Sequence, residues 1–139
     1  LMLMRYLFLA FFLGSLVHGA EWDVTKKIVL AKDQVQTVVV KEEGVVRVLN
    51  FRWTLYAGGG LVVHLNYNNA PAQFVLYQEY KKKSYRVALL PKRSAFKRIP
   101  YLYIMFKEFD HAVSKAHFEL GIDDPENRAL IEWKESTES

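Results

Sequence analysis

The feature that most constrains the fold of this chain is an alternation of apolar and polar residues over residues 45–67. Apolar residues fill every second position from Leu49 to Ala57, and the alternation resumes after three glycines at 58–60. A period of two is typical of a β-strand with one buried and one solvated face. The segment therefore predicts a long β-hairpin, whose glycines supply the positive φ values of a three-residue turn.

Folding the chain across this turn predicts which residues pair. The expected cross-strand pairs are Ala57–Leu61, Leu55–Val63 and Trp53–Leu65. All the apolar side chains then share one face, and a slip of one residue would turn them to solvent, so the register is well specified. In this register Tyr56 and His64 lie on the polar, outward face, and Tyr77 is also expected to face outward.

Runs of β-branched and aromatic residues predict further strands on both sides of this hairpin. These strands are predicted over residues 25–31, 34–41, 72–80, 85–90, 101–109, 116–122 and 128–134. Two more hairpins are expected, across the turns at 81–84 and 123–127. Strand 101–109 has apolar residues on both faces, which favours a central or doubly covered position. Residues 110–114 are interpreted as a loop rather than a helical turn.

Eight or nine strands and successive hairpins predict an all-β domain with antiparallel pairing. The expected architecture is a two-sheet β-sandwich, in which the long connection at 91–99 would cross between the sheets. A closed meander β-barrel is the alternative. Hydrophobic residues make up 51% of the 139-residue chain and cysteine is absent, so stability must come from a packed core rather than from disulfides.

The N-terminal residues have the pattern of a secretory signal peptide. Arg5 precedes an apolar run at 6–17, which is shorter than the roughly 20 residues that span a bilayer. Small residues near its end allow cleavage after Gly19 or after Ala20.

This leader predicts three parts in the chain. Residues 1–20 are expected to be a removed signal peptide, residues 21–135 a single antiparallel β domain, and residues 136–139 a flexible tail. Export predicts a periplasmic or secreted protein that is at most peripheral to a membrane.

Charge is segregated along the chain, and the basic region is the main candidate binding site. Eight basic residues and no acidic residue occur between positions 81 and 98, whereas residues 119–139 contain seven acidic and two basic residues. The basic residues are Lys81, Lys82, Lys83, Arg86, Lys92, Arg93, Lys97 and Arg98. Clustered cations attract anionic surfaces with salt-sensitive affinity. The alternative is that these cations are solvated, or neutralised by the acidic C-terminal region.

Metal binding and catalysis have weaker candidates. His111, His117 and Glu119 could contribute to an imidazole–carboxylate metal site, although their spacing matches no known ligand motif and surface histidines are the simpler interpretation. No serine has the surroundings of an activated nucleophile. We therefore expect no enzymatic activity and no cofactor. The many tyrosines are interpreted mainly as core residues, with sugar or protein contacts as the alternative.

Together these features predict an exported, non-catalytic interaction module of the cell envelope. The expected partner is an envelope protein or an anionic cell-surface component, bound through the basic region. A small-ligand carrier with a cavity inside a β-barrel is the alternative, followed by a metal-binding protein that uses histidines and carboxylates. Nucleic acid is not expected, because no motif for its recognition occurs.

Overall fold

A computed structural model describes residues 24–78 and 82–135. This part of the chain contains nine strands: β1 (Val24–Ala31), β2 (Gln36–Glu42), β3 (Val45–Ala57), β4 (Gly60–Tyr67), β5 (Ala70–Tyr77), β6 (Ser84–Ala88), β7 (Tyr101–Asp110), β8 (Lys115–Asp123) and β9 (Leu130–Trp133). The predicted signal peptide, the predicted tail and Lys81 lie outside the described residues.

The nine strands form two antiparallel sheets that face each other. The four-stranded sheet has the order β1-β8-β7-β6, and the five-stranded sheet has the order β5-β4-β3-β2-β9. Aromatic rings join the sheets in the core, where Phe51 of β3 meets Phe118 of β8 edge-on at 5.5 Å between centroids. The predicted all-β sandwich is confirmed, and because the sheets do not close on themselves, the barrel alternative is wrong.

The hairpin predicted over residues 45–67 is present as β3 and β4, but its predicted turn and register are wrong. The turn contains two residues, Gly58 and Gly59, both with positive φ, and Ala57 pairs with Gly60. Further pairs include Tyr56–Leu61, Leu55–Val62, Trp53–Val63 and Phe51–Leu65, with a β-bulge between Trp53 and Leu55. The extra residue of the bulge makes the two-residue turn compatible with the pairing further down the strands.

Because of the extra residue in the bulge, Leu55 and Tyr56 lie on the opposite faces of β3 from those that the alternation predicted. Leu55 is 54% exposed, whereas Tyr56 turns toward the core. The Tyr56 ring stacks on Phe109 with 4.1 Å between centroids, and its edge meets Phe106. The expectation that Tyr56 faces solvent is therefore wrong, because an aromatic ring gains more from this burial than a leucine side chain gains in the same place.

This exchange predicts unequal effects of two neighbouring substitutions. Leu55→Ala should change the free energy of unfolding by less than about 0.5 kcal/mol, because the side chain is exposed. Tyr56→Ala should lower it by about 2–3 kcal/mol, through lost burial and lost ring contacts. Urea unfolding of the two variants checks this, and a larger loss for Leu55→Ala would contradict the observed register.

The second and third predicted hairpins are wrong, because the chain changes sheets where each was expected to turn. β5 pairs with β4 across a tight turn at Asn68 and Asn69, which both have positive φ, and β6 pairs with β7. Phe74 of β5 and Tyr85 of β6 stack face to face at 3.9 Å, so these strands meet across the sandwich rather than within a sheet. Likewise β8 pairs with β1 and β7, whereas β9 pairs with β2.

The long connection at 91–99 and the strand that follows it complete the four-stranded sheet. The connection joins β6 to β7 within one sheet, so its predicted role as a crossover is wrong. The predicted central position of β7 is confirmed, since it lies between β6 and β8. Residues 111–114 form a turn, which confirms that this segment is not a helix.

Tyr67, at the end of β4, connects the five-stranded sheet to the segment that follows β6. Its hydroxyl donates a hydrogen bond to the carbonyl oxygen of Leu89. Burial raises the pKa of Tyr67 to about 12, an effect that the nearby Arg47 partly opposes. The folded protein therefore favours the neutral phenol over the phenolate.

This raised pKa predicts an alkaline loss of stability. The unfolded phenol ionises near pH 10, so stability contributed by neutral Tyr67 is complete below pH 10 and declines as the pH rises toward about 12. Tyr67→Phe should remove this part of the decline while lowering stability at pH 8 by about 1 kcal/mol, through loss of the hydrogen bond. Unfolding free energies measured from pH 8 to 11.5 check this, and identical slopes for both proteins would contradict it.

Candidate functional site

The predicted basic region does not form one continuous surface. Lys82 and Lys83 precede β6, and Arg86 lies on the strand itself. Lys92, Arg93, Lys97 and Arg98 belong to the connection after β6, at the opposite end of the sheet. The five residues of β6 span roughly 17 Å, so the two ends act as separate groups of charge.

The two arginines of this connection face carboxylates from other parts of the fold. Arg93 lies between Glu42 and Glu43, with nitrogen–oxygen distances of 3.5 and 3.3 Å. Arg98 reaches Asp123 at 3.5 Å. Such ion pairs tie the connection to the ends of β2 and β8 and neutralise part of its charge.

Arg128 lies beneath the same connection, and sequence reasoning did not identify it. Its side chain is fully buried, and its Nε donates to Glu42 at 3.1 Å. The two terminal nitrogens donate to the carbonyl oxygens of Arg98 and Pro91, and the guanidinium lies 4.6 Å from the ring centroid of Phe96. Arg128 therefore holds the connection in place rather than offering a charge to a ligand.

Outward-facing residues of β6 and β7 form a second candidate site. Leu102, Ile104 and Phe106 of β7 are buried in the core, so the alternate residues point to the outer face of the four-stranded sheet. We define the tyrosine face as the four residues Arg86, Tyr101, Tyr103 and Met105. The three residues from β7 are half-buried and Arg86 is exposed.

The strand register brings these side chains together. Arg86 of β6 is directly opposite Tyr103, and Tyr103 is directly opposite Gly121 of β8. Because glycine has no side chain, no side chain of β8 lies directly opposite Tyr103. The Arg86 guanidinium lies 4.3 Å from the ring centroid of Tyr101, in the geometry of a cation–π contact. The result is a platform of two aromatic rings with a positively charged border.

Charged residues surround the tyrosine face. Asp123 is the cross-strand partner of Tyr101, so its ion pair with Arg98 places a second predicted basic residue beside the platform. Beyond Met105, Glu119 is paired with Lys107 at 3.8 Å. The apolar residues on both faces of 101–106 were the sequence signal for this site. They predicted a central or doubly covered strand, and the structure shows the central position, with no described strand over the outer side.

The predicted metal residues lie in different settings. The His111 ring contacts Phe109 and Tyr56 edge-on, at 5.1 and 5.7 Å between centroids. His117 Nδ1 lies 4.0 Å from a carboxylate oxygen of Glu108, and Glu119 faces Lys107. Within residues 24–78 and 82–135, no three histidine, aspartate or glutamate side chains are grouped as a metal site would require.

The outer face of the five-stranded sheet carries exposed apolar residues that a charged group divides. Val46 and Leu130 are both cross-strand partners of Lys41. Lys41 and Lys134 both contact Glu132, and hydrogen bonds from these lysines lower the pKa of the Glu132 carboxyl. This charged group separates the valine and leucine side chains, in contrast to the adjacent rings of the tyrosine face.

Comparisons with known proteins add no further assignment to these surfaces. No helix in the described part of the chain is long and apolar enough to cross a membrane. The chain matches no protein-family model, no curated protein and no solved structure.

Proposed function

We propose that this chain is an exported, non-catalytic interaction module of the cell envelope, which binds a protein partner through the tyrosine face. The observation that carries this proposal is the pair Tyr101 and Tyr103, which lie with Arg86 on the outer face of the four-stranded sheet, where no described strand covers them. Tyrosine, arginine and methionine are enriched in protein interfaces, and tyrosine and arginine are also enriched among the residues that dominate binding energy.

The outer face of an antiparallel sheet usually carries polar residues. Here it presents two aromatic rings and a thioether at alternate positions of β7, which makes them neighbours on this face. Aromatic rings supply a large contact area and lose little conformational freedom on binding. The contact with Tyr101 also holds the Arg86 guanidinium in place before a partner arrives, which lowers the entropic cost of binding.

The lysines of the predicted basic region have a different role in this proposal. Lys82, Lys83, Lys92 and Lys97 have no ion pair within the described part of the chain. Exposed lysines of this kind accelerate encounters with an acidic partner without fixing its position. We therefore propose a partner with acidic groups around an apolar centre, and an association rate that falls as salt is added.

Two alternative functions have less structural support. A ligand carrier needs an unfilled interior, but the space between the sheets holds fully buried side chains that include Phe51, Phe106 and Phe118. A metal-binding role would require His111, His117 and Glu119 to act together, and their contacts are with separate neighbours.

Affinity capture with matched variants tests the proposal. The tagged chain without residues 1–20 is incubated with envelope extract, and captured proteins are identified at low and moderate salt. Tyr103→Ala should weaken capture of the partner at least about 30-fold, since interface residues of this type contribute about 2 kcal/mol or more. Tyr77→Ala is the matched control, because this tyrosine lies on the outer side of the other sheet, against Gly60.

Three outcomes would contradict the proposal. Equal capture by wild type and Tyr103→Ala would exclude the tyrosine face as the binding surface. Capture of anionic lipid or polymer without protein, released by salt, would favour the anionic-surface alternative. Absence of any captured material at both salt concentrations would count against an interaction module of the envelope.

A further inference from the structure

The edge strand β1 has backbone hydrogen-bonding groups that no described strand pairs with. Its eight residues pair with β8 without interruption, and no strand lies on its other side in the described part of the chain. We infer that the free edge of β1 is a second binding site, separate from the tyrosine face, which accepts an extended acidic segment of a partner protein as an added antiparallel strand. Such strand addition gains affinity from main-chain hydrogen bonds and specificity from alternate side chains.

Hydrogen bonds at the C-terminal end of β1 show which of its backbone groups point away from β8. The Ala31 amide donates to Gln34 Oε1 at 2.9 Å, and the Ala31 carbonyl accepts from the Gln34 amide at 3.1 Å. Ala31 therefore directs its backbone groups away from β8. Because these directions alternate along an antiparallel strand, Thr25, Lys27 and Val29 also direct their backbone groups toward the free edge.

The other long edge strand, β5, is blocked against such addition. The Tyr77 amide donates to the Lys82 carbonyl, away from β4, so alternation places Pro71 at another outward position of the same edge. Proline has no amide hydrogen to donate and protects a sheet edge against pairing. The remaining edge strands, β6 and β9, contain only five and four residues. β1 is therefore the one long edge without such protection among the described strands.

A trough beside β1 would receive side chains of the added strand. It has a volume of about 390 Å³ and runs between β1 and the end of β9, lined by residues that include Ile28, Gln36 and Trp133. Alternate side chains of a strand next to β1 would point into this trough. Small or branched apolar residues at every second position would cover Ile28 and Trp133, which are both half-buried.

The positive charge of β1 favours an acidic segment over a second copy of the chain as the added strand. Lys26 and Lys27 are exposed and have no ion pair among the described side chains. Antiparallel pairing of two β1 strands centred on Lys27 would set Lys27 directly opposite Lys27 of the other copy, and Lys26 two positions from Lys26 of the other copy. Like charges at such positions oppose pairing, and edge lysines are a known protection against self-association. On an incoming strand whose apolar side chains enter the trough, glutamate or aspartate at the alternate positions would instead face Lys27, which lies on the opposite face of β1 from the trough residues Lys26 and Ile28.

Hydrogen exchange with a synthetic peptide tests the inference on the chain without residues 1–20. The probe is an eight-residue peptide that alternates glutamate and valine, and the control peptide alternates lysine and valine. The amides of Thr25, Lys27 and Val29 should exchange rapidly in the free protein and at least about tenfold more slowly with saturating glutamate peptide. The lysine peptide should give no such protection.

A matched pair of variants separates main-chain pairing from side-chain contact. Val29→Pro removes an outward amide that β8 does not use, so the protein should fold but lose the peptide-induced protection of Thr25 and Lys27. Val29→Ala keeps that amide and should retain the protection. Equal behaviour of the two variants would overturn the strand-addition geometry, provided that both show the wild-type circular dichroism spectrum.

Other results would overturn the inference directly. The edge is already covered if its amides are protected in the free monomer. Protection that increases with protein concentration, together with a dimer in light scattering, would assign the edge to a second copy. Failure of the glutamate peptide to slow exchange would exclude an acidic strand as the occupant.

Discussion

Replacement of Arg128 by methionine is expected to lower the free energy of unfolding by about 3–5 kcal/mol, since removing one partner leaves a buried charge uncompensated. The Glu42 side chain is 4% exposed, and its Oε2 accepts from Arg128 at 3.1 Å. Without Arg128, Arg93 is the one cation among the described residues that remains beside this carboxylate, at 3.5 Å. The carbonyl oxygens of Pro91 and Arg98 also lose their donors. Urea unfolding at pH 7 measures the effect.

Two controls identify the cause of this loss. Arg52→Met removes an exposed arginine that faces Asp33 at 3.7 Å, and it should change stability by less than about 1 kcal/mol. The double variant Arg128→Met with Glu42→Leu should be more stable than Arg128→Met alone, because it also removes the unpaired carboxylate. A double variant less stable than the single variant would show that packing, rather than the uncompensated charge, dominates the loss.

Phe118→Ala is expected to have an effect of similar size, about 3–5 kcal/mol, because it leaves a cavity in the centre of the core. Phe118 is 1% exposed and its ring lies 5.5 Å from Phe51 and 6.2 Å from Phe106, between centroids. It therefore joins the two sheets directly. Chemical denaturation followed by tryptophan fluorescence measures the loss.

Two milder variants, Phe118→Leu and Val113→Ala, test the core position of Phe118 even if Phe118→Ala fails to fold. Phe118→Leu retains most of the apolar volume and should cost about 1 kcal/mol. Val113→Ala, at a position that is 57% exposed, should stay within about 0.5 kcal/mol of wild type. Equal effects of Phe118→Leu and Val113→Ala would contradict the central position of Phe118 in the core.

The candidate sites depend on contacts between residues that are distant in sequence, which the sequence alone does not reveal. Charge counting found Arg93 and Arg98 but could not show that carboxylates from β2 and β8 lie beside them, since those partners are distant in sequence. Arg128 gave no signal, because nothing in its local sequence distinguishes a buried arginine from a solvated one. Tyr103 was within a recognised strand, but only the sheet topology shows that no described strand covers its outer face.

The position of a strand depends on local sequence, whereas its pairing depends on contacts with distant parts of the chain. The alternation over residues 45–67 was sufficient for two strands, because the direction of alternate side chains is a local property of the extended backbone. The bulge before Leu55 was not predictable in this way, because it depends on the stacking of Tyr56 with Phe109 on another sheet. The same holds for β5 and β6. Their alternation suits either pairing within a sheet or packing between sheets, and the contact of Phe74 with Tyr85 resolves that choice only in the folded molecule.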